Sequence, residues 1–314
     1  MKQLLTTVAF FILINVITGH AVHDDKNIGK QEPNTTKQLN DGNHIPIFGL
    51  GTFGWGDIPK IRQAINWAVE SGYRHIDTAA LYDNEAEVGQ GISDVVRKGL
   101  VKREDLYVTT KLWNNKHARD QVVPALRESL AKLNLSYVDL YLIHTPLSSN
   151  EDRSPANIDY LETWQGMEEA KELGLAKSIG VSNFYTEQID RIRAHSTIVP
   201  AVNQIEVHPS NTNETLVKDC FERNITVVAP FGFFVPRGKR PIKDDTTIKN
   251  IAQKYGKSVN QVLLRYSLDR DLIPIPKSTN ENRIKENINV FDFHLTPEEV
   301  SIISSLNTNS SIFD

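Results

Sequence analysis

Eight short apolar runs, each separated from the next by a polar or amphipathic stretch, constrain this chain of 314 residues more than any other feature. The strand-like runs fall at 47–50, 74–77, 106–110, 138–144, 176–181, 201–207, 226–229 and 272–276. Between them, segments at 60–71, 85–98, 119–133, 160–173, 187–195, 214–223 and 259–268 carry the spacing of amphipathic helices. Eight strands with intervening helices in roughly 290 mature residues fit one α/β domain, a (β/α)8 barrel (TIM barrel) of about 250 residues plus insertions. A doubly wound sheet would need a glycine-rich turn leading straight into a helix after its first strand. Gly49-Leu50-Gly51-Thr52-Phe53-Gly54 does not do so.

The first residues stand outside this alternation. Lys2 precedes an uncharged, mostly apolar stretch from 4 to 17, and Gly19 and Ala21 are small residues where a signal peptidase would read them. Residues 1–21 are therefore expected to be a secretory signal, and the protein to be secreted with no membrane association after cleavage. Residues 22–36 are polar and aperiodic and read as a flexible leader. The barrel domain is expected over 37–314, opening with an N-terminal β-hairpin whose turn is Asn40-Asp41-Gly42-Asn43.

Secretion permits disulfides, yet Cys220 is the sole cysteine and is predicted to be a buried helix residue. Sequons at Asn34, Asn134, Asn213, Asn224 and Asn309 are candidate glycan acceptors, which makes a glycoprotein the expectation. A formal net charge of -4, with no basic run, gives no reason to expect nucleic acid as a partner. No metal is expected, and the chain is read as a monomer acting on a small molecule.

In a barrel, chemistry gathers where strands end and loops begin. The second run ends in Asp77 with Tyr82 in the following loop, the third in Lys111 and the fourth in His144. A free phenol titrates near pH 10, and an ammonium held by a carboxylate is expected to lower that value. Tyr82 is then the candidate proton donor, Lys111 its tuner and Asp77 the anchor of Lys111. A neutral His144 is suited to hydrogen-bond a carbonyl oxygen and orient it toward Tyr82. Such a set protonates an oxygen while a hydride arrives at its carbon.

A hydride requires a donor cofactor. Ser182 and Asn183 after the fifth run, with Asn203 and Gln204 in the sixth, offer groups that both donate and accept, which suits a carboxamide such as that of nicotinamide. After the eighth run, Lys277, Ser278, Thr279 and Arg283 lie close together at a helix entry, suited to a phosphate on or near a ribose.

Taken with their spacing, these segments make the chain similar to the aldo-keto reductases. The resemblance is carried by Gly49-Leu50-Gly51-Thr52, by 72–79 with Tyr82-Asp83-Asn84-Glu85, and by Thr110-Lys111 and Leu142-Ile143-His144-Thr145-Pro146. It continues through 180–184, Asn203-Gln204-Ile205-Glu206 with His208-Pro209, and Ile275-Pro276-Lys277-Ser278. It covers about 37–306. It implies an NADPH-dependent carbonyl reductase with Asp77, Tyr82, Lys111 and His144 as its tetrad. It also implies cofactor contacts at Thr52, Asp77, Ser182, Asn183, Gln204, Lys277, Ser278, Thr279, Arg283, Glu286 and Asn287. Lys277 and Arg283 favour NADPH over NADH, because a 2′-phosphate calls for cationic partners.

Three departures from the family pattern shape the expected substrate. Where relatives place a stacking Tyr after the seventh strand, this chain has Pro230-Phe231-Gly232-Phe233-Phe234, and Phe231 is the candidate replacement, since stacking needs only an aromatic face. Thr145 and Phe53 stand where many relatives carry Trp, so the pocket is expected to be more open while Phe53 and Trp113 keep apolar walls. The flap after the last helix is expected to be short. Together these favour a bulky apolar carbonyl such as a steroid ketone, and a signal sequence with these motifs resembles secreted insect members of the family that reduce one. The competing reading is a secreted protein that binds and senses NADPH on the same barrel with little turnover.

Overall fold

The computed structural model describes residues 32–54, 57–231 and 242–311. The expected signal at 1–21, the expected leader up to 31, residues 232–234 and the side chain of Phe231 lie outside the described residues.

Two short antiparallel strands open the fold, β1 (Thr36–Gln38) and β2 (His44–Pro46). The expected Asp41-Gly42 turn joins them, with Leu39 N–H donating to Asn43 O at 2.8 Å. Eight parallel strands follow: β3 (Gly49–Gly51), β4 (His75–Asp77), β5 (Tyr107–Leu112), β6 (Val138–Ile143), β7 (Ala176–Ser182), β8 (Val202–Gln204), β9 (Thr226–Phe231) and β10 (Ile273–Pro276). Each pairs with its neighbour in chain order, and a parallel bridge from Gly51 to Lys277 brings the two ends of the sheet together. That closure depends on glycine: a Cβ on Gly51 would stand 2.9 Å from the backbone oxygen of Ile275.

Ten helices surround the sheet among the described residues. They are α1 (Ile58–Glu70), α2 (Glu85–Arg97), α3 (Arg119–Leu133), α4 (Tyr160–Glu172), α5 (Thr186–His195), α6 (Glu214–Glu222), α7 (Thr246–Tyr255), α8 (Val259–Asp269), α9 (Glu281–Ile288) and α10 (Pro297–Ser304). Their apolar residues fall at helical spacing, as with Val88, Ile92 and Val95 on α2 or Leu126, Leu130 and Leu133 on α3, and all of these are buried against the outer face of the sheet. Cys220 is buried on α6, as its sequence context implied. Helix α7 had no counterpart among the expected segments.

Inside the barrel a second apolar cluster contains Tyr107, Leu140, Leu142, Val202, Val228, Ile273 and Ile275. Leu39 and Ile45 of the hairpin belong to the same cluster, so the hairpin plugs the end where the strands begin. Asn40 and Asn43 fix it there, donating to Pro200 O at 2.9 Å and Ser178 Oγ at 3.1 Å. The opposite end, where the strands finish, is left for chemistry.

Candidate active site

Side chains alternate across a strand with a period of two. On β5 this puts Tyr107, Thr109 and Lys111 inward, while Thr110 points out and donates to Glu85 of α2 at 2.6 Å. The same parity turns His75 and Asp77 inward on β4, and it continues from Leu140 and Leu142 to His144 just beyond β6. Three successive strands thereby deliver an acid, an ammonium and an imidazole to the uppermost interior layer. Strand β5 runs one residue past Lys111 rather than ending on it.

Lys111 is the centre of the arrangement. It is 0 % exposed and Asp77 1 %, so neither charge is screened by water, and each must be matched by partners. Nζ has three protons and three acceptors: Asp77 Oδ1 at 2.6 Å, Thr78 O at 2.8 Å and Tyr82 Oη at 3.3 Å. The other oxygen of Asp77 accepts from Gln204 Nε2 at 2.8 Å. Burial pulls the Lys111 ammonium toward deprotonation, but Asp77 and Tyr82 outweigh it and hold its pKa above the ordinary value.

Tyr82 departs from expectation. Burial raises its phenol above the ordinary value of 10, and this outweighs the downward pull of Lys111, which Asp77 in turn offsets. The carboxylate that fixes the ammonium also cancels much of its field at the phenol. Tyr82 is thus held in its protonated form, the form a proton donor needs.

His144 packs edge-on against Tyr82 and Trp113, with ring centroids 5.7 and 5.2 Å away. Burial, aided by Lys111, lowers its pKa to about 3, so the ring is neutral at any ordinary pH. Its Nδ1 is buried with no protein partner among the described residues. Phe53 lies against the other side of Tyr82, centroids 5.0 Å apart. Phe53 and Trp113 therefore wall the phenol and the imidazole with apolar surface. Thr145 ties its loop to the one after β5, donating to Asn114 Oδ1 at 3.0 Å and accepting from the Leu147 N–H at 3.2 Å.

The expected cofactor residues divide by position. Ser182 and Asn183 stand beside the tetrad, Ser182 Oγ donating to Gln204 O at 2.8 Å and Asn183 Nδ2 to His144 O at 3.0 Å. Thr52 is buried at the end of β3, its N–H on Asp77 O at 3.0 Å and its hydroxyl without a partner among the described residues. Lys277 and Ser278 follow β10, with Lys277 ion-paired to Asp57. On α9, Arg283 is exposed, Glu286 half-buried, and Asn287 buried with its Oδ1 unpartnered among the described residues; Thr279 is half-buried. The backbone of Phe231 pairs with Pro276. Asn203 is a correction: it faces outward, donating to Phe184 O at 2.9 Å, and is not at the mouth.

Two residues without an assigned role join the site. Asn84 accepts from Thr78 Oγ1 at 2.8 Å and donates to Thr52 O at 2.9 Å, locking the Tyr82 turn onto β3. Its place in Tyr82-Asp83-Asn84-Glu85 was the only signal. Asp57 pairs with Lys277 across 220 positions of sequence, and no local pattern announces it.

Comparison with known proteins supplies the lineage of this site. The model of the Aldo/keto reductase family matches residues 47–308. Aldo-keto reductase AKR2E4 of Bombyx mori is 59% identical over 289 residues, spanning 88% of this chain and 94% of that protein. Aldo-keto reductase family 1 member A1 of Gallus gallus is 43% identical over 86% of this chain and 88% of its own. The crystal structure of Bombyx mori AKR2E4 in complex with NADP superposes with a TM-score of 0.87 at 58% identity, covering 90% of this chain and 96% of that one. That of AKR2E5 complexed with NADPH gives 0.86 at 40% identity, covering 90% of each.

Proposed function

Because the chain belongs to the aldo-keto reductase family and is an NADP-dependent oxidoreductase of carbonyl groups, we propose that it reduces a bulky apolar ketone with Tyr82 as the proton donor. The observation that carries this reading is the single buried ammonium of Lys111 in contact with both Asp77 and the Tyr82 hydroxyl.

Cofactor fit is supported by two buried polar atoms in the expected set that have no partner among the described residues, Thr52 Oγ1 and Asn287 Oδ1. Ser182, Asn183 and Gln204 would hold the carboxamide, while Lys277, Ser278, Thr279 and Arg283, with Glu286 and Asn287, would hold the adenosine end. Reduced nicotinamide, when bound, would supply the hydride. Tyr82 gives its hydroxyl proton to the substrate oxygen, and the tyrosinate left behind is stabilised by the Lys111 ammonium. Neutral His144 positions the carbonyl by a hydrogen bond, and water reprotonates Tyr82 after release.

The apolar walls of Phe53 and Trp113, with Thr145 drawn into its own hydrogen bonds, suit a steroid such as a 3-dehydroecdysone-like ketone better than a sugar. The expected signal at 1–21 makes the protein secreted. Glycans then reside on exposed Asn34, Asn134, Asn224 and Asn309 rather than on Asn213, whose amide donates to Glu206 O at 2.6 Å. Loss of a glycosidase-sensitive mass in a variant with Gln at Asn34, Asn134, Asn224 and Asn309 checks this; an unchanged shift contradicts it.

The activity is tested by adding NADPH with steroid ketones, sugars or aromatic aldehydes and following loss of reduced-nicotinamide absorbance. The steroid ketones are expected to turn over fastest. Preference for sugars would sink the substrate assignment, and cofactor binding without turnover of any carbonyl would favour a sensing role.

A further inference from the structure

Asp57 stands where an acidic side chain is least expected, on the lysine that is read as the seat of a phosphate. Its Oδ2 accepts a hydrogen bond from Lys277 Nζ, and its Oδ1 lies 3.4 Å from Lys60 Nζ. The hydrogen bond from Lys277 holds the Asp57 carboxyl below the usual carboxylate range, so it is charged at neutral pH. The contact is built into the chain path. Asp57 is the N-cap residue of α1 yet its side chain makes no capping hydrogen bond, so its carboxylate is directed to the two lysines instead. Gly54 makes room for the lysine: a Cβ there would stand 2.8 Å from both Cε and Nζ of Lys277.

We propose that Asp57 sets the margin between NADPH and NADH, by competing with the cofactor 2′-phosphate for Lys277 and by offering the 2′-hydroxyl of NADH an acceptor. The proposal rests on Lys277 as the seat of the 2′-phosphate. A 2′-phosphate arriving at Lys277 meets a carboxylate already on that ammonium and is repelled by it. A ribose 2′-hydroxyl at the same place finds the kind of carboxylate that recognises NADH elsewhere. Acid and ammonium side by side thus narrow a preference that Lys277 and Arg283 alone would make wider. Both side chains are about a quarter exposed, so the effect is modest, about fivefold at most.

The test is fluorescence titration of the full chain with NADPH and with NADH, which reads affinity directly and needs no turnover. Asp57→Asn is expected to raise the ratio of NADH to NADPH dissociation constants by about fivefold. Asp57→Ser, which keeps a residue suited to the N-cap, is expected to do the same. Lys277→Met should lower the ratio several-fold, leaving the part that Arg283 supplies. If Lys277→Met lowers the ratio while both Asp57 variants leave it unchanged or lower it, the competition is overturned and the phosphate seat stands. An unchanged ratio in Lys277→Met removes the seat, and the role of Asp57 with it.

Discussion

Lys111 is a charge with no water to hold it, and its three contacts explain why the mouth can be both stable and reactive. Removing the ammonium strands the Asp77 carboxylate in a dry interior with Gln204 as its remaining side-chain partner. Lys111→Met is accordingly expected to destabilise the fold by about 3–5 kcal/mol in chemical denaturation, because a buried charge loses its counterion. Replacing both partners, as Asp77→Leu with Lys111→Met, should recover much of that stability while leaving no activity. A single variant as stable as the parent would show that the pair is not buried as described. The residue types of this site were readable from strand ends alone, since parity and position bring Asp77, Lys111 and His144 together without knowledge of any loop. What sequence did not reveal was how the charges settle. Whether the phenol moves up or down depends on burial set against two opposing charges, and only the folded geometry decides it.

At the scale of elements, closure of the barrel at Gly51 governs the site, because Thr52 and Phe53 follow directly and both face the mouth. Gly51→Ala would force its Cβ against the Ile275 carbonyl, moving β3 away from β10. The expected cost is about 1–3 kcal/mol, as for other overpacked contacts, with weaker NADPH binding because Thr52 shifts. Thermal unfolding and cofactor titration read both effects, and a variant unchanged in both would contradict this closure. The eight strands were legible because their interior and outer faces are both apolar, giving continuous runs. Helix α7 was not, although Asp245 caps its start by accepting from Thr247 N–H at 2.8 Å and Gly256 closes its end at φ 62°. Its buried residues are Ile248, Ile251 and Ala252, and the polar residues around them dilute the apolar period. Asn203 misled for a related reason: one step along a strand reverses the face, and β8 is too short for its own pattern to show which of Asn203 and Gln204 turns inward.

Across the whole molecule, three buried histidines share one consequence. Burial lowers the pKa of His75 and of His117 to about 4 and, with Lys111, that of His144 to about 3. In the unfolded chain each titrates near 6.5. Between those values the unfolded state binds protons that the folded state refuses, so stability falls as pH drops from about 6.5 toward 4 and rises with pH across that window. Carboxylates lowered by ion pairs, such as Asp94 beside Arg62, act in the same direction at the acid end. His117 makes no side-chain hydrogen bond among the described residues. His117→Leu is therefore expected to flatten the dependence near pH 5 by about 1.4 kcal/mol per pH unit, one proton's worth. Denaturation midpoints at pH 7, 6 and 5 measure it, and parallel curves for variant and parent would rule it out. The function of the molecule turns on a single proton, however, and the most direct measurement is the turnover of Tyr82→Phe with a steroid ketone under saturating NADPH. Loss of at least about 100-fold in kcat, with NADPH affinity nearly unchanged, is the predicted result, since general acid catalysis contributes about that much or more. Full turnover without the phenol hydroxyl would contradict the assignment of Tyr82 as the donor.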